Sequence, residues 1–202
     1  MFRDVIEMKV YPEIISLENE NVESYPTQAF DGKIRIIYNT YNIEKIAEYL
    51  STKPMLGFDT ETRPSFSKNQ VNSVALLQLS DENEAFLFRI NKIGLPEPIQ
   101  RILSDKNILK VGVAVHDDLK GLQKINPFTP ENFVDLQGVA KQLHINAMGL
   151  RTLTPLVMGF KISKRQQLSN WENRFLSKGQ QLYAATDAWV SLKIYQKLLP
   201  YL

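Results

Sequence analysis

The chain has 202 residues, 44% hydrophobic and 23% charged, with a net charge of +2, enough for one substantial soluble domain with an added arm. It contains no cysteine, which excludes disulfides, thiolate catalysis and Cys-ligated zinc. No apolar run approaches the ~18 residues that span a membrane, and the N-terminus lacks an apolar core after a basic start, so neither a span nor a signal peptide is expected and the expected compartment is cytoplasmic.

Residues 1–32 hold seven acids against two bases, a balance of −5, which leaves +7 on the rest of the chain. They show no sustained period and contain Pro12 and Pro26. They read as an acidic N-terminal arm, packed on or tethered to a main domain over 33–202. The mildly basic body suits a polyanionic partner, and equally suits a solvated surface with spare lysines. From Lys33 the pattern sharpens, and residues 34–38 alternate like a strand. Asn42 is placed to cap a helix over 43–50, where Ile43, Ile46, Ala47 and Leu50 share a face. Strands follow at 55–62, 74–79 and 84–88, the last two as an antiparallel hairpin across a polar turn at 80–83. A helix is predicted over 96–103, with Pro96 in its first turn. The apolar run 108–115 suits a central parallel strand. Further helices are predicted near 117–124, 135–143, 149–158 and 178–198. Early strands followed by alternating helices and a later strand indicate an α/β fold, a mixed sheet flanked by helices.

The strand at 55–62 carries two acids where a buried strand should carry none. Asp59 and Glu61 are two apart, so both side chains point to one face of the sheet. Acids are poor strand residues, and buried charges are costly unless paired or bound to metal. An exposed turn is the plain alternative. Asp117 and Asp118 follow the 108–115 strand at the start of a helix, where capping and dipole compensation compete with a role at the carboxyl end of the sheet. In the last helix Tyr183 and Asp187 are four apart and stack on one face, amid Ala184, Ala185, Ala188, Trp189 and Val190.

The order Phe58-Asp59-Thr60-Glu61, then Asp118, then Tyr183-Ala184-Ala185-Thr186-Asp187 resembles the DEDDy family of 3′–5′ exonucleases, on a ribonuclease H-like fold. The family includes ribonuclease D, the proofreading domain of polymerase I and the exonuclease domain of Werner-type helicases. The resemblance to the last covers about residues 33–200, including segments 74–79, 111–115, 169–171 and 182–187. A sister subfamily carries a histidine five residues before the final Asp. Here that place is Leu182, and Tyr183 occupies the tyrosine position, which favours the Y type. Asp118 is preferred to Asp117 as the second-motif acid because Leu122 and Ile125 at i+4 and i+7 put it on the face that packs on the sheet, while Asp117 rotates away and is free to cap. His116 reads as a loop or surface residue.

The resemblance implies two Mg²⁺ or Mn²⁺ ions on the scissile phosphate, held by carboxylates about 3.5–4 Å apart as metals. It implies that Asp59 bridges them, that Glu61 and Asp187 hold the water-activating ion, and that Asp118 acts on the second side, mostly through water. Tyr183 would orient the attacking water, since a phenol of pKa ~10 is protonated at neutral pH. The implied partner is a nucleic acid with a free 3′ end, DNA or RNA, cut stepwise to nucleoside 5′-monophosphates. Phosphate contacts and base stacking would supply grip. Thr60, Arg63, Phe66, Lys68, Lys161, Lys164, Arg165 and Trp171 are the flanking candidates, with a plain turn as the alternative for Arg63 and a core anchor as the alternative for Trp171. Two other readings stand beside this one: a non-catalytic nucleic-acid-binding domain on the same fold, and a ribonuclease D-like RNA trimming enzyme. The end of the sequence soon after the last motif leads to the expectation of a stand-alone nuclease.

Overall fold

The alternating apolar residues at the start of the body become one edge of a six-stranded sheet in the computed structural model, which describes residues 24–64 and 72–202. The strands are β1 (Lys33–Ile37), β2 (Met55–Thr62), β3 (Val74–Ser80), β4 (Glu84–Phe88), β5 (Leu109–Gly112) and β6 (Phe133–Asp135). Their order in the sheet is β1-β4-β3-β2-β5-β6. Pairs β2–β3 and β3–β4 are antiparallel; β1–β4, β2–β5 and β5–β6 are parallel. The sheet is therefore mixed, as the sequence predicts.

Side-chain alternation splits the strands between two cores. Phe58, Leu77, Leu79, Phe86 and Phe88 pack against α1 (Ile43–Ser51), α3 (Glu97–Leu103) and α4 (Val115–Gln123). On the other face, Leu76, Ala85 and Leu87 lie under α7 (Lys178–Leu198). The helices α5 (Leu136–Gln142) and α6 (Leu150–Met158) close the β5 end of that face together with α7. A short α2 (Ile90–Ile93) and a terminal 3₁₀ turn (Leu199–Tyr201) complete the elements. Among the described residues, no helix is long and apolar enough to cross a membrane.

The departures from the sequence expectation are local. The strand read over 108–115 ends at Gly112, because Ala114 turns left-handed at φ 57° and starts α4 at Val115. Asp117 and Asp118 thus both lie inside the first turn of α4. Ala114, not Asp117, holds the N-cap position, and Asp117 is instead an exposed partner of Lys120 at 3.7 Å. Asn42 sits at the N-cap of α1 but makes no side-chain capping hydrogen bond. The three residues of β6 were too few to show a period; Asp135 ends the strand and caps α5 by accepting from the Gln137 amide at 2.9 Å.

Residues 24–32 pack on the body. The Gln28 and Lys161 amides donate to the carbonyls of Lys161 and Pro26, each at 2.8 Å. Phe30 is buried, and its amide donates to Thr186 Oγ1 at 3.0 Å. Residues 1–23, which hold most of the acidic arm, lie outside the described residues.

Candidate active site

The site starts from a missing side chain. Gly57 on β2 faces α7, and a Cβ there would come within 1.9 Å of the Ala188 carbonyl oxygen. Only glycine lets the helix backbone lie this close to the strand. The small residues Ala184, Ala185 and Ala188 do the same from the helix side, each fully buried. At its start α7 is fixed by a capping box: the Gln180 amide donates to Ser177 Oγ at 3.2 Å, and the Ser177 amide donates to Gln180 Oε1 at 3.0 Å. The helix is thereby laid along β2 with Asp187 over the strand's acidic end.

Asp59, Glu61 and Asp187 each present a carboxylate oxygen, and these atoms lie within 4.8 Å of one another. Asp118 stands beside this group on α4, where its Oδ1 accepts a hydrogen bond from Thr60 Oγ1 at 2.5 Å. Its charge still raises both Asp59 and Glu61. Burial is the largest cause of every shift in the group. It pushes Asp59 well up, Glu61 to about 9, Asp187 to about 7 and Asp118 to about 6, with mutual repulsion adding at Asp59 and Glu61. Two carboxylates this close repel by about 3 kcal/mol at an effective dielectric of about 20. Three such pairs approach the whole margin of about 5–15 kcal/mol that holds a domain folded. The cluster is built to hold either protons or a cation. Oxygen-only ligands suit a hard divalent metal.

Tyr183, one turn before Asp187, lies beside the cluster. Burial and the Asp187 charge raise its phenol well above the ordinary value, so it is protonated at neutral pH. Its ring rests on Trp171 at a centroid distance of 5.9 Å, and its Oη accepts from Arg151 Nη2 at 3.4 Å.

Residues 34–202 match the sequence profile of a family described as 3′-5′ exonuclease. The chain belongs to that family. The family match spans most of the chain, and curated relatives agree. The mouse "Bifunctional 3'-5' exonuclease/ATP-dependent helicase WRN" is 33% identical over 186 residues, which is 87% of this chain and 13% of the relative. An Arabidopsis thaliana "3'-5' exonuclease" is 31% identical over 87% of this chain and 66% of its own length. The chain thus spans less than two thirds of either relative. Among solved structures, the Nibbler EXO domain of Aedes aegypti superposes with a TM-score of 0.77 at 22% identity, covering 87% of this chain and 92% of that one. Escherichia coli RNase D does so at 0.75 and 24% identity, covering 84% and 45%. The structural likeness at these identities is one of fold.

In this member of the family the flanking candidates scatter. Thr60 is occupied as the donor to Asp118. Arg63, Thr60 and Thr62 line an open cleft of about 710 Å³ that runs from Asp118 past Lys120 and Lys124. Arg63 is half-exposed at its rim, 3.5 Å from Glu172. Trp171 takes the core alternative: it is fully buried, so no base can stack on it. Lys164 is exposed and lines neither cavity next to the acids, whereas Arg165 lines a smaller pocket of about 240 Å³ beside Tyr183 and Asp187. Lys161 serves chain pairing through its backbone, and His116 is exposed on α4. Phe66 and Lys68 lie outside the described residues.

Sequence reasoning missed Lys120, Lys124, Arg151 and Gln78. Gln78 pairs across strands with Asp59 and is fully buried, and neither amide atom has a hydrogen-bond partner among the described residues. The one signal for it was a glutamine inside an apolar strand. Arg151 gave no signal, being a polar position on an amphipathic helix.

Proposed function

We propose that the chain is a metal-dependent 3′–5′ exonuclease that hydrolyses phosphodiester bonds one at a time from a free 3′ end, releasing nucleoside 5′-monophosphates. The observation that carries this reading is the close carboxylate group of Asp59, Glu61 and Asp187, with Asp118 beside it and no countering cation in ion-pair contact among the described residues. Two Mg²⁺ or Mn²⁺ ions fit this donor set: Asp59, Glu61 and Asp187 would hold one, and Asp59 with Asp118 the other. Bound there, such ions supply an activated water and offset the charge on the attacked phosphate and the leaving oxygen.

The protein's own groups do the rest. Tyr183 stays protonated and orients the attacking water by hydrogen bonding. Thr60 fixes the Asp118 carboxylate. The leaving 3′ oxygen of the shortened strand ends as a hydroxyl and the water's oxygen stays on the departing 5′-monophosphate, so no co-reactant is needed. Arg63, Lys120 and Lys124 offer charge to the phosphates of the strand lying in the cleft. The test is mononucleotide release from 3′-labelled single-stranded and recessed DNA and RNA, with Mg²⁺ or Mn²⁺ and with chelator. Metal-dependent release that disappears in Asp59→Ala is expected. Full activity in that variant overturns the reading, and metal-independent binding without turnover favours a non-catalytic domain.

A further inference from the structure

Among the described residues, one arginine reaches the acids without an ion pair to any of them. Arg151 is half-buried in the first turn of α6, which packs along α7. Its charge holds Glu61 and Asp187 down from where burial alone would put them. Yet among the described residues it forms no ion pair, and its hydrogen bond goes to the phenolic oxygen of Tyr183 at 3.4 Å. A guanidinium recruited to neutralise a carboxylate takes it with a two-pronged, shorter contact. This one is aimed at the tyrosine.

That choice has a geometric consequence. A phenol oxygen carries one hydrogen and accepting lone pairs. With Arg151 donating to one side, the hydroxyl hydrogen must turn away from the guanidinium. The ring itself is set by Trp171, which is buried behind it. Ring plane and hydroxyl direction are thus fixed by two different neighbours.

We propose that Arg151 is a positioning residue for the Tyr183 hydroxyl, fixing the direction in which that group meets the attacking water. The proposal rests on the nuclease reading above. The planar fork of arginine holds a fixed donor direction that a lysine ammonium matches only in part. The rival role is direct contact between the spare guanidinium donors and a substrate phosphate, and it predicts different kinetics.

The experiment is a double-mutant cycle on the full chain, measuring kcat and KM for mononucleotide release at saturating Mn²⁺. The variants are Arg151→Met, Arg151→Lys, Tyr183→Phe and the Arg151→Met/Tyr183→Phe pair, each checked by thermal unfolding. In Arg151→Met, kcat should fall about tenfold to hundredfold, the scale of a misdirected reacting group. Its KM should stay within about twofold, as for an interaction felt only in the transition state. Lysine should restore part of kcat. The pair should be slower than Tyr183→Phe by no more than about twofold, because the arginine acts through the missing hydroxyl. Unchanged kcat in Arg151→Met, a rise in KM alone, or losses that multiply in the pair would each overturn the proposal. Should the methionine variant unfold, Arg151→Gln carries the same cycle. A wild-type chain inert on DNA and RNA alike overturns the nuclease reading and this proposal together, whereas an active wild type with an unaffected Arg151→Met overturns the proposal alone.

Discussion

Two aspartates of one sheet, one on a strand and one just past the end of its neighbour, meet burial in opposite ways. Asp81, just past β3, is 5% exposed. Burial pushes it up, but bonds from Tyr49 Oη at 2.6 Å, the Asn83 and Glu84 amides at 2.7 Å each, and Lys53 at 2.9 Å outweigh that and hold it below the ordinary value. Asp59 on β2 has the Thr60 amide to help it and three acids around it, and it rises well above. One carboxylate is satisfied by its neighbours; the other, among the described residues, is surrounded mostly by like charge. Unsatisfied buried charge, more than burial or acidity, is what marks Asp59 as a candidate functional acid beside a structural one.

The contrast breaks most visibly on mutation. Asp59→Ala should lower mononucleotide release by about 10³-fold or more, the upper range for losing an electrostatic stabiliser. It should leave the metal-free fold as stable as before or more so. Asp81→Ala should do the reverse, costing about 3 kcal/mol by stranding Lys53 and its other donors, with turnover per folded molecule intact. Urea titrations beside initial rates check both; equal destabilisation by the two changes would end the distinction. Next, Gly57→Ala should cost about 2 kcal/mol as the new methyl forces α7 off β2. The same shift should reduce kcat by about a hundredfold by moving Asp187.

Acidity gives the third test, because the two carboxylate environments have opposite signs. Asp118, Asp187 and Glu61 titrate in the folded chain near 6, 7 and 9, above an unfolded value of about 4. Between those limits the folded state keeps protons the unfolded state has lost. Their contribution is therefore present at low pH and disappears in chelator as pH rises from about 4 to about 9. Asp81, held low, contributes above its unfolded value and loses that contribution as pH falls toward its folded one. Melting in chelator from pH 5 to 9 should show falling stability, and saturating Mg²⁺ should flatten the slope. A midpoint that climbs with pH in chelator contradicts the cluster. The smallest effect is Tyr49→Phe, expected to cost about 1 kcal/mol for one hydrogen bond to Asp81 and to leave turnover alone.

Much of this was legible along the chain. Strands β2 and β4 and helix α7 fall on the residues their patterns predict, because each is long or sharply bounded. The shared face of Asp59 and Glu61 follows from the strand period alone. What was not legible came from convergence in space. The sequence offered Trp171 as a core anchor as well as a stacking surface, but no pattern told that it would back Tyr183. Nor could an arginine on α6 announce a partner 32 positions away on α7. Strand β6 was hidden by its length of three residues, and the early end of β5 by a left-handed alanine that no propensity favours.

The seam between residues 24–32 and α7 bears on how the chain can be cut down. A truncation at Lys33, where the regular pattern begins, would remove Phe30 from its place against Trp189 and strip the amide from Thr186, the immediate neighbour of Asp187. The opened slot would admit water beneath the helix that carries Asp187 and Tyr183. A minimal folding unit therefore has to begin before Pro26, so that the strip pinned to Lys161 stays on as a gasket.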